Sequence, residues 1–183
     1  MPSFIPPEVL LLGPGPSPVP QRILDALARP TIGHLDPRFV GMMDDLKRLL
    51  RYAFQTGNEL TIPVSVPGSA GMETAFVNVI EPGDTVIVCQ NGVFGGRMRE
   101  NVVRIGAMPV MVNDAFGTPI DLDKVRSALK ANPGARALAF VHAETSTGVE
   151  SDAAELCRLA QEYGALSIVD AVTSLGGIPV CAD

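Results

Sequence analysis

Hydrophobic positions along this chain change period several times, and each change marks an element. Between 37 and 55 the apolar residues Phe39, Met42, Met43, Leu46, Leu49, Leu50 and Ala53 recur at helical spacing. Met42 and Met43 read as filler of that helix's buried face. A shorter helix is expected over 21–28, opened by Pro20. After Gly57-Asn58 the period shortens, and 60–66 reads as a strand in which Pro63 is a poor guest for a central position. A helix starting at Gly68 or Ser69 follows, with Met72, Ala75, Phe76 and Val79 on one face. Glu81-Pro82-Gly83-Asp84 ends it.

From there short apolar runs alternate with amphipathic ones. Strands are expected over 85–89, 107–112, 137–141 and 166–169. Helices are expected over 93–105, closed by Gly106, and over 121–129 and 151–163. Asp121 suits an N-cap, and Lys124, Arg126 and Lys130 lie further along, where the helix dipole favours cations. Ser151 is expected to cap the last helix and Gly164 to end it. A further short strand could open within 176–180. Strands that are apolar throughout, rather than alternating, are covered on both faces by helices. The class is therefore α/β with a mainly parallel sheet, and ligands in such sheets bind beyond the carboxyl ends of the strands.

Residues 1–20 hold seven prolines and are expected to form an extended arm, with the folded domain over 21–183. The arm lacks a basic leader and a long apolar run, so no signal peptide or membrane span is expected. Across 183 residues an apolar share of 46% supports a packed core, and the net charge of −6 without a basic block argues against nucleic acid as a partner. Cys89, Cys157 and Cys181 match neither a disulfide framework nor zinc spacing, which makes a reducing cytosol the expected compartment and an organelle the alternative.

Polar groups gather where the strands end. Gly68-Ser69, Gln90-Asn91-Gly92, His142-Ala143-Glu144-Thr145 and Asp170 each follow a predicted strand, so connectivity puts them on one rim. Backbone N–H groups at 68–70 open a helix and can hold a phosphate; the alternative is a serine N-cap after a turn glycine. No Gly-Lys-Ser/Thr follows, so this is not a P-loop. Asp170 can face a cationic heteroaromatic nitrogen or cap the turn at Thr173 and Ser174. Phe94 can stack on a flat ligand or belong to the core. His142 is a candidate ligand or general base, and no metal site is expected.

Seven segments in one order carry a resemblance: LLGPGPSPVP (11–20), FQT (54–56), GSAGME (68–73), EPGD (81–84), QNGVFGGR (90–97), HAETSTGV (142–149) and VDAVTSLGG (169–177). Together the chain resembles the N-terminal part of class V aminotransferases of the alanine–glyoxylate, serine–glyoxylate and serine–pyruvate group. The resemblance implies the large domain of the fold type I pyridoxal-phosphate enzymes, a homodimer, and pyridoxal 5′-phosphate as cofactor. It implies a small amino acid, alanine or serine, as amino donor and a keto acid, glyoxylate or pyruvate, as acceptor. It assigns the cofactor phosphate to Gly68 and Ser69, the stacking aromatic to Phe94, and the hydroxyl facing the ring oxygen to Thr145. Asp170 becomes the catalytic carboxylate at the pyridine nitrogen, with Val172 against the ring. Gly13, Gly15, Gly33 and His34 resemble parts near the substrate or the partner subunit.

Two features depart from the family pattern. Val66-Pro67 stands where relatives carry a glycine and a hydroxyl residue; each phosphate bond so removed costs about 1.5–3 kcal/mol. The family's Schiff-base lysine falls beyond the aspartate matching Asp170, and this sequence has only Lys47, Lys124 and Lys130, all on predicted helices. The expectation is an aminotransferase fragment with little activity by itself. The alternatives are a non-catalytic protein that binds pyridoxal phosphate or a partner, and a decayed, truncated gene product.

Overall fold

The computed structural model describes residues 3–183. The chain falls into two compact units, Met1–Leu46 and Lys47–Asp183. The first holds α1 (Gln21–Leu27) and the start of α2 (Pro37–Phe54). Residues 3–20 carry no helix or strand. Neither helix buries a residue fully. Met42 is exposed and Met43 half-buried, so these methionines are not core filler.

The second unit is a layered α/β structure. It contains α3 (Gly68–Val79), β1 (Thr85–Gln90), α4 (Val93–Ile105), β2 (Met108–Asn113), α5 (Leu122–Ala131), β3 (Ala137–Val141), β4 (Ala143–Glu144), β5 (Val149–Glu150), α6 (Ala153–Glu162) and β6 (Leu166–Asp170). The main sheet runs β2-β1-β3-β6 with every pairing parallel. Side-chain alternation along the strands feeds two cores. Val86 and Val88 of β1 join Ala137, Ala139 and Val141 of β3 beneath Phe76 of α3 and Met98 and Val102 of α4. Ile87, Cys89, Leu138 and Phe140 point the other way, against Val125 and Leu129 of α5 and Leu156 and Leu159 of α6. Both faces are covered, as the unbroken apolar strands require.

Three expectations change. Residues 60–66 form no strand. Asn58 curls the chain there instead: its side-chain oxygen accepts the Leu60 N–H at 3.0 Å and its carbonyl accepts the Thr61 hydroxyl at 2.7 Å. Pro63 then has no N–H to offer a ladder. Ser151 does not cap α6; Asp152 does, accepting the Glu155 N–H at 3.0 Å. Ser151 is buried, and its hydroxyl oxygen accepts the Ile120 N–H at 3.2 Å. Residues 176–180 give one isolated bridge, Leu175 to Ile178, and no strand. The antiparallel ribbon of β4 and β5 was not predicted, because strands of two residues leave no period to read.

Candidate functional site

The helix after β1 packs on one face of the sheet, while those after β2 and β3 pack on the other. Chain directions therefore diverge between β1 and β3, and it is beyond the carboxyl ends of strands at such a divergence that parallel sheets bind ligands. The rim residues meet there through a traceable series of contacts.

At the start of α3, Pro67 takes the N-cap place and makes no side-chain cap; its carbonyl accepts the N–H groups of Ala70 at 2.9 Å and Gly71 at 3.0 Å. Ser69 is thus not the capping residue. Its hydroxyl accepts a hydrogen bond from Arg97 Nη1 at 3.2 Å. The same guanidinium lies over the Phe94 ring, 4.5 Å from its centre. Phe94 is half-buried, with its inner side against the α3–α4 core. Phe94 thus packs against the core and keeps part of its surface exposed.

The Phe94 N–H donates to Glu144 Oε2 at 3.1 Å, which joins α4 to the β4–β5 ribbon. Thr145 follows, its hydroxyl bonded to that of Thr173. Thr173 lies just past β6. The Asp170 carbonyl accepts the His142 N–H at 2.9 Å, and Asp170 Oδ1 accepts the Val172 N–H at 2.9 Å. The carboxylate thus caps the turn one residue earlier than Thr173. Among the described residues no cation pairs with Asp170, and Oδ2 remains free to accept. Val172 is 77% exposed.

His142 turns its side chain elsewhere. Nε2 lies 3.6 Å from Glu150 Oε1 and the ring is buried. Its backbone stitches the rim instead, the carbonyl accepting the Ser151 N–H at 2.9 Å. Gly13 and Gly15 lie in the segment without regular structure, and Gly33 and His34 in the link between α1 and α2, all within the first unit. Lys124 Nζ bonds Asp114 and the Asn113 carbonyl; Lys47 lies in α2 and Lys130 in the last turn of α5.

Two features escaped the sequence reading. Glu144 stood within a rim motif without a role, yet it is wholly buried. Arg97 stood inside QNGVFGGR, and its i, i+3 spacing from Phe94 was the available signal. An open groove of about 760 Å³ lies between the end of α2 and residues 176–180, but none of the rim residues lines it. No metal-holding cluster and no helix long and apolar enough to cross a membrane occur among the described residues.

The model of the family Aminotransferase class-V matches residues 9–182. The alanine–glyoxylate aminotransferase of Oryctolagus cuniculus is 41% identical over 178 residues, covering 97% of this chain and 45% of the relative. A solved alanine–glyoxylate aminotransferase from Nostoc sp. superposes with a TM-score of 0.91 at 43% identity, over 97% of this chain and 48% of that one. A ureidoglycine–glyoxylate aminotransferase from Bacillus subtilis gives a TM-score of 0.95 at 34% identity, over 98% and 46%. The chain spans about half the length of the relatives it matches.

Proposed function

We propose, for a chain that belongs to the class-V aminotransferase family, that this rim binds pyridoxal 5′-phosphate and serves the transfer of an amino group from a small amino acid to a keto acid. The observation that carries the reading is the convergence, on one rim of the sheet, of an uncapped helix start beside a guanidinium, an aromatic ring, a hydroxyl pair and a carboxylate with a free oxygen.

The residues present fit such a cofactor. The first N–H groups of α3, at Gly68 and Ser69, lack a side-chain cap and suit a phosphate, and Arg97 adds positive charge beside them. That cation offsets part of what Val66 and Pro67 remove. Phe94, half-buried with Arg97 over its ring, offers its exposed part to a flat ligand. Thr145 offers a hydroxyl to a ring oxygen, and exposed Val172 an apolar contact. Asp170 Oδ2 suits a protonated ring nitrogen and would hold the proton there. When bound, the cofactor supplies an electron sink that loosens the α-hydrogen of an amino acid. Lys47 lies on α2 and Lys124 and Lys130 on α5, none of them in the rim segments, so the part of these residues is to bind and orient the cofactor.

The alanine–glyoxylate and ureidoglycine–glyoxylate relatives differ in the amino donor of their names and share glyoxylate, which supports glyoxylate as acceptor. Gly13, Gly15, Gly33 and His34 are assigned to substrate or a second subunit of a homodimer.

Equilibrium dialysis against pyridoxal 5′-phosphate tests the reading. The protein is expected to retain the cofactor, and Asp170→Ala to weaken it by about tenfold or more, the loss of one charge-assisted bond. Failure of the wild-type protein to retain it at saturating concentration would overturn the proposal.

A further inference from the structure

We infer that Glu144 is a positioning residue of this rim, setting the Phe94 backbone and the Thr145 turn as one unit; the inference rests on the cofactor reading above. Glu144 is 0% exposed, and no cation pairs with it among the described residues. Such a carboxylate is costly to withdraw from water unless its oxygens are filled. Here they are filled entirely by the two elements that carry the proposed ring contacts. Oε2 accepts the Phe94 N–H at 3.1 Å. Oε1 accepts the Ser146 N–H at 3.1 Å and the Ser146 hydroxyl at 2.7 Å. The Ser146 hydroxyl oxygen in turn accepts the Val93 N–H at 3.0 Å. The Glu144 carbonyl accepts the N–H groups of Gly148 at 2.8 Å and Thr147 at 3.2 Å, closing the turn that holds Thr145.

Glu144 thereby caps α4 from fifty residues away in sequence, where the helix dipole favours a negative charge. The chain makes room for it. A Cβ at Gly92 would lie 2.2 Å from Glu144 Cγ, 2.4 Å from Cδ and 2.7 Å from Ser146 Oγ. Gly92 has φ −175°, an extended angle open to any residue, so glycine serves space there and not backbone angle. An apolar side chain could fill the same volume without the desolvation cost. What the carboxylate adds is the fixed distance between α4 and the ribbon.

The test uses Glu144→Gln, which keeps the shape but sets an amide donor against one of two N–H donors. Pyridoxal 5′-phosphate is titrated by equilibrium dialysis, and the circular dichroism induced in its absorption band reports its orientation. Glu144→Gln is expected to weaken binding by about tenfold and to change the induced signal. Ser146→Ala, at an exposed position, should move both readouts the same way by less, and it carries the test if Glu144→Gln does not fold. Val125→Ala, in the core on the opposite sheet face, should lower stability and move neither. Unchanged affinity and signal in Glu144→Gln, or equal losses in Val125→Ala, would overturn the inference while leaving the cofactor reading intact. A wild-type protein that does not bind the cofactor would overturn both.

Discussion

Two neighbouring glycines of α4 make opposite demands, and replacing each with alanine tests how the rim is held. A Cβ at Gly95 would sit 2.5 Å from the Cys89 carbonyl oxygen and 2.8 Å from Gln90 Cα. Both are backbone atoms of β1, which is pinned in register on one side by β2 and on the other by β3. A Cβ at Gly96 would meet Gln90 Nε2 at 3.2 Å, the free end of a flexible side chain. Either change gains about 1 kcal/mol of helix propensity. Gly95→Ala must also lift α4 from the sheet, an overpacking cost of about 1–3 kcal/mol and nearer the upper end because the obstacle cannot turn away. Gly95→Ala should therefore lose about 1–2 kcal/mol and Gly96→Ala should gain up to about 1 kcal/mol. Urea unfolding with linear extrapolation resolves a difference of this size. Gly95→Ala at or above wild-type stability would refute the close approach of α4 to β1, and with it the placement of Phe94 at the rim.

Further outcomes follow from the same contacts. Ser151→Ala strips the acceptor from the buried Ile120 N–H and should cost about 1–3 kcal/mol, whereas Asp152→Ala removes an exposed cap and should cost about 1 kcal/mol; chemical denaturation of the pair checks the order. Burial first, and the Asp114 charge second, push the Cys89 thiol far above its ordinary range. Alkylation at pH 8 should thus label exposed Cys181 and leave Cys89 intact until the protein unfolds, as peptide mapping would show. The Thr56 hydroxyl, then the Gly57 N–H, hold the Asp183 carboxyl below its usual range. A lowered folded value gives stability that is present above the ordinary carboxylate pKa and is lost as pH falls through the lowered one. Asp183→Asn should therefore destabilise at neutral pH and match wild type in acid; a constant difference across an acid titration of the melting temperature would contradict this.

Part of the rim was legible because three of its four segments follow strands. Strand ends can be read from apolar runs, and connectivity alone puts Phe94, Thr145 and Asp170 near one edge, whereas Ser69 follows no strand and joins them through Arg97. What could not be read was how they touch. Arg97 reaches Ser69 across 28 residues of sequence and Glu144 reaches Phe94 across 50, and no local period encodes such pairs. Ser151 shows the same limit from the other side: a serine before a helix has the composition of a cap, but burial and the Ile120 N–H gave it another task. Residues 60–66 look like a strand by apolar content, yet Asn58 and Pro63 withdraw the backbone from any ladder.

By itself, then, the sequence determined the α/β class, the strands over 85–89, 137–141 and 166–169, the helix over 93–105 and the family, because each depends on periodicity or on motif order within short stretches. Only the tertiary structure decided which face of the sheet each helix covers, that chain directions diverge between β1 and β3, and that a buried carboxylate caps α4. Those outcomes depend on the desolvation of polar groups and on backbone approach at ångström scale, and both arise only when distant segments are brought into contact.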